Sequence, residues 1–123
     1  MATDVKSQVE ARFKVLMDAY NAGDFKGVSD CYTTDCQCVA AKKDITIGHE
    51  ACRKVCQEFL DSDAKTLEYK IEHLTSSPDG ELAYLIARVS MFKADGSSAG
   101  IANNLLIWKK VDGEYFACVD MFN

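Results

Sequence analysis

Close to its end the chain reads ACVDMF, placing one carboxylate, Asp120, among apolar neighbours. A carboxylate in such a run must pair with a cation, take up a proton or reach water at the mouth of a pocket. Arg88, flanked by Ala87 and Val89, is the cation most similarly placed. His73, in YKIEHLT, has the ionisation range of a general base if it faces the same space. Two readings stay open for these residues. In one, Asp120 acts in a site, as polar anchor or with His73 as acid and base. In the other, Asp120 and Arg88 form a buried structural ion pair and His73 is a partly exposed strand residue. His49 follows Gly48 at a helix start and receives no role.

Six cysteines, at positions 31, 36, 38, 52, 56 and 118, are the other chemistry-bearing set. They include no CxxC pair. Cys52 and Cys56 lie one helical turn apart, and Cys36 and Cys38 share one face of a strand. Neither spacing matches the usual zinc patterns, so reduced, packed thiols are expected and no metal is assigned. The chain also has no phosphate-binding glycine loop and no nucleophile elbow, and no cofactor is assigned.

The elements that carry these residues read clearly. At 123 residues, 48% of them hydrophobic and 27% charged, the chain is expected to form one domain, 1–123, with a core of its own. The net charge of -5 and the lack of any long Lys/Arg run exclude a nucleic-acid footprint. The opening MATDVKSQVEARF is polar and contains acids, unlike a signal or transit peptide, and no apolar stretch is long enough to span a membrane. The expected home is therefore cytoplasmic. Val9, Phe13, Leu16, Met17 and Tyr20 predict an amphipathic helix over about 4–20. Gly23 caps its end and Asp24 starts a second short helix, with Phe25, Val28, Cys31 and Tyr32 on one stripe. A small hairpin follows, 36–40 and 45–47 around Lys42, Lys43 and Asp44, then a third helix over 48–60. Strands are predicted at about 66–76, 81–93, 100–110 and 114–122, joined by turns at 77–80, 94–96 and 111–113. Helices followed by an antiparallel meander make an α+β domain.

LAYLIARVSMF and IANNLLIW are apolar at odd and even positions alike. Three helices cover only one face of such a sheet, which predicts a homodimer through the other.

Together, "AYNAGDFKGVSDCYTTDC", "GHEACRKVCQEFL" and "LLIWKKVDGEYFACVDMFN" resemble the nuclear transport factor 2-like superfamily, which includes polyketide cyclase-like and ketosteroid isomerase-like proteins. The resemblance runs from about residue 8 to 123. It implies a cystatin-like cone, a curved antiparallel sheet wrapped around the three helices with a pocket open at one end. Counted along this resemblance, the isomerase's tyrosine and two aspartates fall on Leu16, Ala40 and Leu105, so that chemistry is not expected. The same count turns Phe116, Cys118, Asp120 and Phe122 inward, with Tyr84, Ile86, Arg88, Ser90, Phe92, Asn103, Leu105 and Ile107. It leaves Trp108 and Asn104 on the outer, dimer-side face.

The expected ligand-binding residues are then Arg88, Asn103, Tyr84, Cys118, Phe122, Leu16 and Tyr20, with Asp120 and His73 as the catalytic candidates. Tyr20 and Tyr32 flank the helix corner, where core packing with the hydroxyl at the rim is their expected state. Three functions are consistent with this: a homodimeric binder of an apolar or amphipathic small molecule, an acid-base isomerase, dehydratase or cyclase, and an association module with a vestigial pocket.

Overall fold

The apolar stripe at the start of the chain folds as its spacing predicts. In the computed structural model, which describes residues 4–40 and 43–123, α1 spans Val5–Asn21 and buries Val9, Phe13, Leu16, Met17 and Tyr20. Asp4 caps its first turn by accepting from the Ser7 N–H. The break after it is sharp because Gly23 takes a φ of +72°, which costs a glycine nothing. Asp24 then accepts from the Gly27 N–H and starts α2, Phe25–Ser29. Cys31 and Tyr32 fall outside this helix, and Tyr32 instead opens β1, Tyr32–Val39.

β2, Thr46–Ile47, pairs antiparallel with β1, so the expected hairpin forms; the part of its turn at Lys42 lies outside the described residues. α3 covers His49–Asp61, and four strands follow: β3 Thr66–Ser76, β4 Leu82–Phe92, β5 Ser98–Val111 and β6 Glu114–Phe122. The β5–β6 turn holds Asp112 and Gly113 at φ of +51° and +84°, the backbone a tight two-residue hairpin demands. One six-stranded, unclosed sheet results, in the order β2-β1-β6-β5-β4-β3. All its pairings are antiparallel except β1 on β6, which is parallel.

The sheet is curved, and α1 lies in its concave face. Asn21 ties the end of α1 to the free edge of the sheet. Its Nδ2 donates to the Leu67 carbonyl at 2.9 Å, and its Oδ1 accepts from the Leu67 N–H at 2.7 Å. An edge strand that offers unpaired backbone groups is covered in this way.

On β4 and β5 the two faces are exchanged relative to the sequence expectation. On β4 the odd positions Ala83, Leu85, Ala87 and Val89 are buried, while Tyr84, Ile86 and Arg88 are exposed. On β5, Asn104, Leu106 and Trp108 turn inward, and Asn103, Leu105 and Ile107 line up with Arg88, Ile86 and Tyr84 on the outer face. Trp108, expected at a dimer surface, is wholly buried in the core. The cause is a count displaced by one residue, and a period of two then exchanges the faces of the whole strand.

On β3 and β6 the cause is an inserted residue. Ile71 pairs with Ala87 but His73 pairs with Ile86, so Glu72 is extra and His73 leaves the side of Ile71. Trp108 pairs with Ala117 and Ile107 with Val119, so Cys118 is extra. Each bulge reverses the alternation beyond it.

These faces predict unequal costs for neighbouring residues. Leu85→Ala should destabilise by about 2–5 kcal/mol, whereas Arg88→Ala should stay within about 0.5 kcal/mol of wild type. Denaturant unfolding measures both, and a loss of several kcal/mol at Arg88 would put it back in a buried ion pair.

Candidate functional site

Between the helices and the concave face of the sheet lies a narrow cavity of about 680 Å³, counting its open mouth. α1 contributes Leu16, Met17 and Tyr20, and α3 contributes Cys52, Val55, Cys56 and Phe59. The sheet side supplies Tyr32, Cys38, Val89, Met91, Asn104, Asp120 and Phe122. The wall is almost entirely apolar, sulfur-rich and aromatic. Among the described residues Asp120 is its one carboxyl group, and neither lysine, arginine nor histidine lines it.

Asp120 is 8% exposed. The residue sits on β6 beside Cys38 of β1 and Leu106 of β5. Its two oxygens are divided between two donors. The Tyr32 hydroxyl donates to Oδ2, and Asn104 Nδ2 donates to Oδ1 at 2.6 Å. Asn104 is a diagonal neighbour across the β5–β6 ladder, paired directly with Phe122. Its second amide hydrogen goes to the Met121 carbonyl at 3.2 Å, which fixes the NH₂ group toward Asp120. Tyr32 is itself held from behind, since His49 Nε2 lies 2.8 Å from its carbonyl oxygen.

Burial pushes the Asp120 carboxyl above the ordinary carboxylate range, against the opposing pull of the Tyr32 and Asn104 hydrogen bonds. Burial, and then the Asp120 charge, push the Tyr32 hydroxyl well above its usual value. Tyr20 spends its hydroxyl on the Ala64 carbonyl, at 2.7 Å, and presents its ring to the cavity. Cys36, Cys38, Cys52 and Cys56 form a contiguous run of buried thiols from β1 to α3. The contact with Cys38, and then burial, push the Cys36 thiol up; at Cys38 and Cys52 the preceding thiol of the run pulls the value down, but the next thiol and burial outweigh it, so all three stay above the usual thiol range in their neutral form. Among the described residues no group of three or more His, Cys, Asp or Glu is arranged to hold a metal ion.

The structure brings together only part of the residues singled out in the sequence. Asp120, Phe122, Leu16 and Tyr20 line the cavity. Arg88, Tyr84 and Asn103 do not: all three are on the outer face, so Arg88 neither pairs with Asp120 nor reaches a ligand in the cone. His73 is exposed on that outer face and stacks on Tyr84, with ring centroids 5.3 Å apart. It therefore cannot work with Asp120. Cys118, the bulged residue of β6, lies outside the cavity wall. Leu105 also points outward, so the penultimate strand offers the cavity Asn104 in place of a carboxylic acid. Asn104 and Tyr32 are the two polar residues missed as site components. The parallel pairing that sets Tyr32 across from Ala117, near Asp120, joins segments far apart in the chain and leaves no local signal.

Comparison with known proteins agrees with this architecture. The SnoaL-like domain family profile matches residues 13–116. The chain belongs to the SnoaL-like domain family. No curated protein matches the chain. Among solved structures, a nuclear transport factor 2-like protein of unknown function from Shewanella oneidensis MR-1 superposes with a TM-score of 0.78 at 14% identity, over 95% of this chain and 97% of that one. A cystatin-like protein of unknown function from Nostoc punctiforme PCC 73102 gives 0.80 at 14% identity, over 95% and 88%. A ketosteroid isomerase-like protein from Erwinia carotovora atroseptica SCRI1043 gives 0.79 at 16% identity, over 94% and 92%. At such identities the likeness is one of fold. This SnoaL-like chain is an α+β cone, and among its described residues no helix is long and apolar enough to cross a membrane.

The raised Asp120 value has a sign that stability measurements can read. An unstructured aspartate titrates near 3.8, so above that pH the folded state holds a proton that the unfolded state has lost. The stability this contributes is complete below 3.8 and is lost as pH rises through the folded-state value. Asp120→Asn should remove this slope, so that the variant gains on wild type as pH rises across that window. Thermal melts at a series of pH values check it, and parallel curves for the two proteins would contradict it.

Proposed function

We propose that the cone binds a small, largely apolar molecule that presents one polar group to Asp120. The observation that carries this reading is a buried carboxyl with no cationic partner among the described residues, at the wall of an open apolar cavity. A group placed for stability alone is normally paired with an opposite charge, because an unpaired buried charge costs several kcal/mol. Pockets that bind small molecules have this composition, an apolar wall with a few convergent polar groups. Among NTF2-like folds that pattern is compatible with binders and enzymes alike.

An acid-base enzyme of the isomerase, dehydratase or cyclase type is the second reading. It is favoured by the Tyr32 hydroxyl on Asp120 and by the upward displacement of the carboxyl, which moves it toward the range useful for proton transfer. In that case Asp120 moves the proton, with Tyr32 rather than His73 beside it.

The outer sheet face supports the homodimer. Ile86, Ile101, Leu105, Ile107 and Met121 lie on it, in a patch that the chain's own helices do not cover. Trp108 and Asn104 are not part of this surface. A cytosolic setting, in which six thiols stay reduced, suits the same reading.

Two measurements test these proposals. In a thermal-shift screen with small apolar and amphipathic compounds, Leu16→Trp should abolish the rise in midpoint by filling the cavity while leaving the protein folded; binding that survives the tryptophan would place the ligand elsewhere. In sedimentation, wild type should run as a dimer and Leu105→Lys as a monomer. A monomeric wild type would remove the dimer from the account.

A further inference from the structure

We infer that the ligand of the cone is a lipophilic amine, whose protonated nitrogen sits against the Asp120 carboxylate among the rings of Tyr20, Tyr32, Phe59 and Phe122. The inference rests on the binding role proposed for the same cavity and names the chemical class that fills it.

The hydrogen bonds at Asp120 come first. The Tyr32 hydroxyl is hydrogen-bonded to Oδ2; the Asn104 amide hydrogens go to Oδ1 and to the Met121 carbonyl. Both carboxyl oxygens thus have a partner able to donate to the ionised form, and in the neutral form the Tyr32 oxygen can accept the carboxyl proton instead. Donors are present, but among the described residues lining the cavity a positive charge is not. Among the described residues, the titratable side chains that line the cavity with Asp120 or stand beside it on β1 are acids that are neutral when protonated: Tyr32, Cys36 and Cys38 from β1, Cys52 and Cys56 from α3, and Tyr20 from α1; His49 is engaged with the Tyr32 carbonyl and does not line the cavity. Arg88, the cation nearest in expectation, faces away from the cavity on the opposite side of the sheet. The site thus has the acceptors of a carboxylate and lacks its counter-charge. An ammonium supplied by the ligand completes it.

The wall suits the rest of such a molecule. Four aromatic rings line the cavity, with Phe59 and Phe122 in contact at a centroid distance of 4.7 Å. Aromatic faces attract alkylammonium groups through the ring quadrupole, more strongly where water is excluded. Met17, Met91 and the Cys38, Cys52 and Cys56 thiols supply polarisable contacts for an apolar body. A carboxylate or phosphate ligand meets the opposite conditions, with an acid at the site and a chain of net charge -5 around it.

Calorimetric titration of the full chain near neutral pH tests this with three compounds of matched shape: N,N-dimethylbenzylamine, isobutylbenzene and the neutral ketone isobutyrophenone. The amine should bind about tenfold or more tightly than either neutral compound. Asp120→Asn should weaken the amine about 10- to 100-fold and change isobutylbenzene less than about threefold. A second readout needs only wild type. Wherever free Asp120 is protonated, amine binding should expel that proton to the buffer, so the heat should change between phosphate and Tris, and isobutylbenzene should show no such difference. If the ketone or the hydrocarbon binds as tightly as the amine, with no proton released on amine binding, the amine assignment fails while the binding role stands. If none of the three binds, both fail.

Discussion

The arrangement of the cavity depends on one extra residue in the last strand. Cys118 interrupts the β5–β6 ladder, and the alternation of side chains changes phase across it. Before the bulge, Tyr115 and Ala117 face the core; after it, Asp120 and Phe122 do. Without the bulge, a strand that buries Tyr115 and Ala117 would turn Asp120 to the outside. The narrow end of the cone, packed around Trp108, and its open end, lined by Asp120, can therefore share one strand. The parallel attachment of β1 completes the site, because it sets Cys38 beside Asp120 and begins at Tyr32, whose hydroxyl crosses to the carboxyl.

From this follows a division between the two ends of the molecule. The closed end is close-packed: Val9, Phe13, Leu85, Leu106 and Trp108 are fully buried, and the Tyr115 hydroxyl is spent on the Gly80 carbonyl. The open end leaves space between α1, α3 and the sheet, and its polar groups converge on one carboxyl. Interiors pack densely wherever packing is the sole requirement. A cavity kept open beside an unneutralised acid is a cost to stability, and a ligand that enters it offsets that cost.

Much of the fold was legible in the sequence and much of the site was not, for identifiable reasons. The buried stripe of α1, the Gly23 break, the Asp24 cap and the Asp112-Gly113 hairpin follow from local chemistry that acts within a few residues. The faces of β4 and β5 depend on phase, and both strands carry large apolar residues at odd and even positions. One clue was present. Ala83 and Ala87 are small residues suited to close approach by a helix, while Arg88 and Tyr84 share the alternate positions that stay exposed. The bulges at Glu72 and Cys118 left no such clue, and each displaced a residue that mattered: His73 moved outward and Asp120 stayed inward. The contact of Tyr32 with Asp120 spans 88 positions of the chain and exists only once β1 and β6 are paired.

At the centre stands Asp120, a buried acid with hydrogen-bond donors and, among the described residues, no counter-charge. Its most direct test is the titration of the Asp120 side-chain carboxyl in the ligand-free protein, followed by its carbon-13 NMR shift. The account predicts a midpoint displaced above the value of 3.8 for an ordinary aspartate. A midpoint at or below that value would show that the fold stabilises the carboxylate by more than burial costs it, and would contradict it.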